Sequence, residues 1–134
     1  AGTHLARLVR PGSLVAVISD FVGVDQDGGQ WLAELATGKE LMLVLVHDPL
    51  ESRAPPPGLY PVSDGHSRGV LDLTRRRSRE RYDRRFQARL AALETLGRHH
   101  RAHLLDLTTV DPVGPTLALA LKARAGSPSR ARAL

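Results

Sequence analysis

The sequence predicts an α/β domain in which parallel strands alternate with helices. Two continuous apolar runs, SLVAVISD at 13–20 and LMLVLVH at 41–47, have the length and composition of strands that are buried on both faces. A shorter run, AHLLDLT at 102–108, predicts a third strand. Segments with helical spacing lie between these runs, and buried strands that alternate with helices form a parallel sheet flanked by helices.

The first elements of the chain follow from its apolar spacing and its glycines and prolines. THLARLVR at 3–10 predicts the end of a helix, and the Pro11-Gly12 pair stops it before the strand at 13–20. A second helix is expected over about 29–37, with an Asp27 cap at its start and a Gly38 stop at its end. The second strand, 41–47, follows it directly.

The middle of the chain predicts an antiparallel hairpin over 58–73. Three prolines at 55–57 make the preceding connection extended and exposed. The segments LYPV and GVLDL then flank SDGHSR, where Asp64-Gly65 is a turn signal.

A long amphipathic helix is predicted over about 75–97. Thr74 is expected to cap this helix and Gly97 to end it. Its apolar residues follow one another at steps of four, four, three and three, which places them on one face. They are Tyr82, Phe86, Leu90, Leu93 and Leu96.

The last strand is followed by a helix over about 112–124, with Asp111 as its cap and Pro112 at its first position. The alternation in TLALAL leaves a strand open as the alternative. We assign 1–124 to the folded region and 125–134 to a flexible basic tail.

Composition excludes several classes of function. The chain has no cysteine, which excludes disulfides, thiolate metal sites and a cysteine nucleophile, and which fits the cytoplasm. No apolar run approaches the roughly 20 residues that span a bilayer, so no membrane contact is expected. The chain contains no phosphate-binding glycine motif and no G-x-S-x-G elbow around Ser19.

Three carboxylates lie at or just beyond the carboxyl ends of predicted strands. They are Asp20, Asp48 and Asp111. Ligands bind beyond these ends in open α/β sheets, so converging carboxylates there could hold Mg²⁺ or Mn²⁺ or perform acid/base chemistry. The structural alternatives are a cap for Asp111 and a turn for Asp48. Asp20 is the strongest functional candidate, because no helix starts directly after it.

The histidines do not favour a metal site. His99, His100 and His103 lie close in sequence, but adjacent residues point apart in regular structure, and exposed loop histidines are the simpler interpretation.

The positive charge is concentrated in the second half of the chain. Residues 1–72 carry a net charge of −4 and residues 73–134 a net charge of +9, and seventeen of the nineteen basic residues are arginine. Within the predicted long helix, Arg81, Arg84 and Arg85 are candidate contacts for phosphates or for an acidic partner. No aromatic platform interleaves with them, so the solvated outer face of a helix is favoured over a nucleic-acid site.

Five blocks in their order resemble the C-terminal half of a DUF58 protein, a family that is von Willebrand factor A-like and associated with MoxR-type AAA+ ATPases. The blocks, which extend from about residue 5 to 122, are RPGSLVAVISDF, LVLVHDPLE, the GLYPV–GVLDLT hairpin, RERYDRRFQARLAALETL and HLLDLTTVDPV. The resemblance implies a partial Rossmann-like sheet whose fourth, fifth and sixth strands are 13–19, 41–47 and 103–108.

The resemblance also implies a role for one acid. In von Willebrand A-type domains an acid after the fourth strand contributes to a metal site, and Asp20, beside Ser19, is the only residue here that matches that set. The D-x-S-x-S motif of such sites is missing from the chain. We therefore expect no cofactor and no tightly bound metal here, with Mg²⁺ or Mn²⁺ reaching Asp20 only in an intact domain.

The function expected from these observations is a non-catalytic protein-interaction module, an adaptor or partner of a MoxR-type ATPase. The strand at 14–19 would lack its neighbour, so a homo-oligomer or a swapped dimer is expected through it. Two alternatives stay open: a nucleic-acid-binding domain that uses the arginine-rich helix 75–97, and a magnesium-dependent enzyme that uses Asp20, Asp48 and Asp111.

Overall fold

The computed structural model describes residues 8–24 and 30–126 of the chain. Residues 3–7 of the predicted helix at 3–10, the Asp27 cap and most of the predicted tail lie outside these residues; within the rest of that helix, Leu8 is helical and Val9 and Arg10 are not. Within them, the mixed α/β fold is confirmed: three parallel strands are flanked by helices, and a separate two-stranded antiparallel hairpin is present.

The main sheet consists of β1 (Leu14–Ser19), β2 (Glu40–His47) and β5 (His103–Thr108) in the order β1-β2-β5. Val17 of β1 lies opposite Leu43 of β2, and Leu43 lies opposite Leu104 of β5. Both ladders of this sheet are parallel, so the carboxyl ends of its strands lie at one edge. The predicted strands therefore form with boundaries that shift by one residue at most.

Four complete helices and a hairpin accompany these strands in the described part of the chain, with the last helix following β5. The helices are α1 (Gln30–Ala36), α2 (Pro49–Ser52), α3 (Arg76–His100) and α4 (Val113–Gly126), and the hairpin consists of β3 (Leu59–Ser63) and β4 (Arg68–Asp72). The hairpin turn lies at the predicted Asp64-Gly65 pair, where Gly65 has a φ of 91° that favours glycine.

The core lies between the sheet and the helices α1 and α3. The strand residues that face these helices are Val15, Leu41, Leu43 and Leu45, and they pack against Leu32, Leu35, Phe86 and Leu93. The opposite face of the sheet carries a smaller cluster of Met42, Val44 and Leu107. Burial on both faces of β2 explains its uninterrupted apolar sequence.

The ends of α3 differ from those predicted. Thr74 does not cap the helix, because its hydroxyl donates to the carboxylate of Asp72 at 2.5 Å and the N-cap position falls on Arg75. Gly97 does not end it either: the helix continues to His100 and stops where Arg101 adopts a left-handed φ of 53°. Gly97 is buried, and a Cβ there would lie 3.4 Å from the carbonyl oxygen of Ala102. The glycine therefore allows a close approach of the chain that enters β5.

Candidate functional site

The carboxyl ends of β1, β2 and β5 form the edge where an open α/β sheet usually binds its ligands. Asp20 follows β1 directly, Asp48 follows β2 directly, and Asp111 lies three residues after β5. The contacts of each carboxylate decide what this edge can do.

Asp20 shapes the turn that leaves β1. Its Oδ1 accepts a hydrogen bond from the backbone N–H of Val22 at 3.1 Å, and the hydroxyl of Ser19 accepts one from the N–H of Phe21 at 3.0 Å. Phe21 is buried and has a φ of 51°, an uncommon conformation for a residue with a side chain. Ser19 and Asp20 thus satisfy the backbone groups of a sharp turn.

Asp48 caps the short helix α2, which the sequence pattern did not predict. Its Oδ1 accepts from the N–H of Leu50 at 2.8 Å, while the carboxylate of Glu51 accepts from the N–H of Asp48 at 3.2 Å, and this reciprocal pair is a capping box. The second oxygen of Asp48 accepts from the hydroxyl of Thr109 at 3.1 Å. Asp48 therefore also connects the ends of β2 and β5.

Asp111 closes the turn after β5. Its Oδ2 accepts from the backbone N–H of Thr108 at 2.7 Å, and this hydrogen bond is the main cause that lowers the pKa of Asp111. The predicted cap on the following helix is wrong, because this carboxylate points back to β5 while Thr116 donates its N–H to the carbonyl of Pro112.

Arg89 of α3 connects this edge to the helix layer. Its Nη2 donates to the carboxylate of Glu51 at 2.9 Å, and its Nη1 donates to the carbonyl oxygen of Asp20 at 3.2 Å. Its guanidinium also lies 5.2 Å from the ring centroid of Phe86, within the range of a cation–π contact. The Arg89 side chain is 15% exposed, so one arginine joins the ends of two strands from a mostly buried position.

His47, the last residue of β2, is the buried polar side chain at this edge. Its Nε2 lies 2.8 Å from Oδ1 of Asp106 in β5, and its Nδ1 lies 3.2 Å from the carbonyl oxygen of Asp48. The imidazole packs on Phe86 with ring centroids 4.4 Å apart. Sequence reasoning missed His47, Asp106 and Arg89 as members of the site.

Signals for two of these residues, His47 and Arg89, are present in the sequence. His47 is a polar residue at the end of a strand that is otherwise apolar. Arg89 lies seven residues after Tyr82 and three after Phe86, so it occupies the apolar face of the helix. The contact between His47 and Asp106 also requires the β2-β5 register, which local spacing does not contain.

The remaining candidate arginines are not part of this edge. Arg81, Arg84 and Arg85 are exposed on α3, and none of them makes a hydrogen bond or an ion pair within the described residues. They do not join the strand-end residues.

A family whose description reads "Protein of unknown function DUF58" matches residues 1–95. The match covers well over half of the chain and includes β1, β2, the hairpin and most of α3. The chain belongs to the DUF58 family. Searches of curated proteins and of solved structures found no match.

The described residues of this DUF58 chain do not fit the divalent cation that the von Willebrand A-like resemblance implies. Within 8–24 and 30–126, no three acidic, histidine or cysteine side chains form a group that could hold a metal ion. Ca²⁺ and Mg²⁺ need about six oxygen ligands, and the carboxylates of Asp20, Asp48 and Asp111 are each used by local backbone groups.

The terminal histidines of α3 also differ from the prediction. His99 and His100 lie in the last helical turn rather than in a loop, and their rings meet edge to face with centroids 4.7 Å apart. Partial burial is the main cause that lowers the pKa of His100, and the charge of His99 lowers it further.

A shallow cavity of about 200 Å³ lies beside the end of β1, lined by residues that include Ser19, Phe21 and Trp31. Its volume is below the roughly 300 Å³ at which small-molecule pockets begin.

Among the described helices of this DUF58 chain, none combines the length and the apolar character that a bilayer crossing requires.

Proposed function

We propose that this DUF58 chain is a non-catalytic protein-interaction module that acts as an adaptor or partner of a MoxR-type AAA+ ATPase. The interaction role is argued from the surfaces of the fold. The ATPase comes from the family resemblance alone. The proposal needs no cofactor, and its compartment is the cytoplasm, in keeping with a chain without cysteine.

One observation carries the interaction role: β1 is an apolar strand with one unpaired edge among the described residues. It pairs with β2 on one side only. Its sequence LVAVIS contains neither proline nor charge, the features that natural proteins use to protect an edge strand. Ile18 is 68% exposed and Leu14 is 40% exposed, on the sheet face opposite to the α1–α3 core.

The strand-end contacts support a binding role over a catalytic one. Asp20, Asp48 and Asp111 accept hydrogen bonds from nearby backbone groups, and Arg89 is paired with Glu51. Among the described residues, the candidate arginines without a hydrogen bond or an ion pair, Arg81, Arg84 and Arg85, lie on the outer surface of α3.

The unpaired edge leads to a proposal about assembly. We expect β1 to pair with another copy of the chain, as a homo-oligomer or a swapped dimer, because an exposed ladder of N–H and C=O groups is a template for a further strand. Size-exclusion chromatography with light scattering should show a dimer or larger species at micromolar concentration. Ile18→Lys should convert it to monomer.

Val70→Lys is the matched control for this experiment. Val70 is 67% exposed, close to the value for Ile18, but lies on the hairpin strand β4. Val70→Lys adds the same charge as Ile18→Lys and should leave the oligomer unchanged. A wild-type chain that elutes as a clean monomer would contradict assembly through β1.

The ATPase part of the proposal is tested by affinity capture. A tagged wild-type chain, expressed in its source cells and crosslinked before lysis, should recover an AAA+ ATPase. The same tag on an unrelated protein should not. Repeated capture without any such ATPase would remove the adaptor role and leave the assembly proposal standing.

Nucleic-acid binding is the second candidate function, and the unpaired arginines of α3 are the observation that favours it. It predicts binding to duplex or single-stranded oligonucleotides that weakens steeply with salt and disappears in Arg81→Glu/Arg84→Glu/Arg85→Glu. Fluorescence anisotropy at two salt concentrations measures both effects.

A further inference from the structure

Four arginines of α3 form a continuous row on its outer surface. They are Arg77, Arg81, Arg84 and Arg85. At about 100° per residue, these positions cluster on the side of the helix opposite to the buried Phe86 and Leu93. All four are exposed, and none has an ion-pair partner in the part of the chain that the structure describes. We call this set the arginine row.

The acidic residues nearest to the arginine row do not neutralise it. Glu80 pairs with Arg76 at 2.7 Å, and Asp83 accepts the backbone N–H of Ala54 at 2.6 Å on another side of the helix. The row extends over nine residues, and the eight steps from Arg77 to Arg85 span about 12 Å at 1.5 Å per residue. It therefore presents four uncompensated positive charges over about two helical turns.

The same outer face changes character after Arg85. Its next residues are Ala88, Ala91 and Thr95, which are small and exposed, and the guanidinium of Arg98 donates to the Thr95 hydroxyl at 3.0 Å. Small side chains allow the axis of another helix to approach closely. The outer face of α3 thus has an arginine half and a half of small residues, at whose end Arg98 restores positive charge.

We propose that this face docks an acidic helix of a protein partner. The proposal rests on the interaction-module function above and gives its partner a chemistry. Glutamates or aspartates at successive turns of the partner would face the arginine row, because a guanidinium pairs bidentately with a carboxylate. Uncharged residues at the other end of that helix would lie along Ala88 and Ala91.

The two halves of the face favour a protein helix over a nucleic acid. A duplex carries one negative charge per about 1.7 Å along its whole axis, whereas the positive charge of this face is interrupted by small residues between Arg85 and Arg98. Single strands are held by stacking on aromatic side chains. The nearest aromatics lie elsewhere: Phe86 is buried, and Tyr82 donates its hydroxyl to the carbonyl of Leu50 at 2.6 Å.

The test uses the full chain and a helical peptide of about six turns as the probe. Glutamates on one face of its first half match the spacing of the arginine row, and alanines continue that face. A second peptide of identical composition has its glutamates dispersed around the helix. Calorimetric titration should show that the matched peptide binds about tenfold tighter than the dispersed one, since each arginine adds a modest, geometry-dependent increment.

Two charge-reversal variants separate the arginine row from net charge. Arg81→Glu/Arg84→Glu/Arg85→Glu should weaken binding of the matched peptide about tenfold or more. Arg10→Glu/Arg53→Glu/Arg68→Glu changes the net charge equally at exposed sites on other segments, and should keep most of the affinity. A neutral variant, Arg81→Gln/Arg84→Gln/Arg85→Gln, guards against misfolding, with circular dichroism as the check, and should also lose affinity.

Three results would overturn the proposal. They are equal loss in both charge-reversal variants, equal affinity for the two peptides, and tighter arginine-dependent binding of duplex DNA than of the matched peptide. Affinity capture then distinguishes this failure from that of the proposed function. If the ATPase is recovered by wild type and by the Arg81/Arg84/Arg85 reversal alike, the adaptor role stands and the docking face is wrong.

Discussion

The helix α3 carries two sets of arginines that behave differently although the residue type and the helix are the same. Arg79 and Arg89 turn inward: Arg79 donates to the carbonyl oxygens of Leu73 and Thr74, each at 2.8 Å, and Arg89 holds Glu51 and the backbone of Asp20. The arginine row turns outward and is unpaired within the described residues. The angular position on the helix, rather than the composition of the segment, decides which arginines build the fold.

This difference separates structure from function on one element. The inward set donates to the backbone carbonyls of Leu73, Thr74 and Asp20 and to the carboxylate of Glu51. The outward set makes no hydrogen bond or ion pair among the described residues, so its substitution should leave the fold intact and alter binding only.

Phe86→Ala should have the largest effect on stability. Phe86 is 4% exposed and contacts both the Arg89 guanidinium and the His47 ring. Truncation of a buried phenylalanine costs about 3–5 kcal/mol. Equilibrium urea unfolding should show this loss, whereas Val70→Ala on the exposed hairpin should stay within about 0.5 kcal/mol of wild type. A Phe86→Ala loss below about 1 kcal/mol would mean that this ring does not hold the two layers together.

A comparison of Arg89→Met with Arg85→Met tests the inward and the outward arginines directly. Arg89→Met removes a hydrogen-bonded charge and leaves Glu51 without its ion-pair partner, so a loss of about 1–3 kcal/mol in the free energy of unfolding is expected. Arg85→Met should change it by no more than about 0.5 kcal/mol. Equal effects of the two substitutions, in the same urea measurement, would contradict the division into inward and outward arginines.

The Asp111 turn should give the smallest effect, and one that depends on pH. The N–H of Thr108 lowers the pKa of Asp111 in the folded chain, so the folded state favours the ionised carboxylate. Its contribution is present above the unfolded pKa of about 3.9 and is lost as the pH falls through the lower folded value. The difference in unfolding free energy between wild type and Asp111→Ala should therefore be largest near about pH 6 and shrink towards about pH 3. A difference that grows on acidification would contradict the assignment.

Much of the fold could be predicted from the sequence because its signals are local. The apolar runs that became β1 and β2 and the stripe that includes Phe86 and Leu93 follow directly from spacing. The errors arose where one residue type serves several roles. Gly97 provides space for Ala102 instead of ending α3. Thr74 donates a hydrogen bond to Asp72 instead of capping α3.

The candidate site was less predictable because it depends on contacts between distant segments. Spacing indicated that acids follow the strands, but the four-residue helix capped by Asp48 is too short to show periodicity. The pairs His47–Asp106 and Arg89–Glu51 join residues 59 and 38 positions apart, and they require the sheet register and the packing of α3. Such contacts have no signature in a local pattern.

The most direct test follows the arginine side-chain Nε–Hε signals by NMR while the matched acidic peptide is added to the full chain. We expect the signals of Arg81, Arg84 and Arg85 to shift in a saturable manner, with those of Arg79 and Arg89 unchanged. The dispersed-glutamate peptide should produce little shift at the same concentration. Shifts of Arg79 and Arg89, or no shift in the arginine row, would contradict the division of α3 into an inward structural set and an outward binding set.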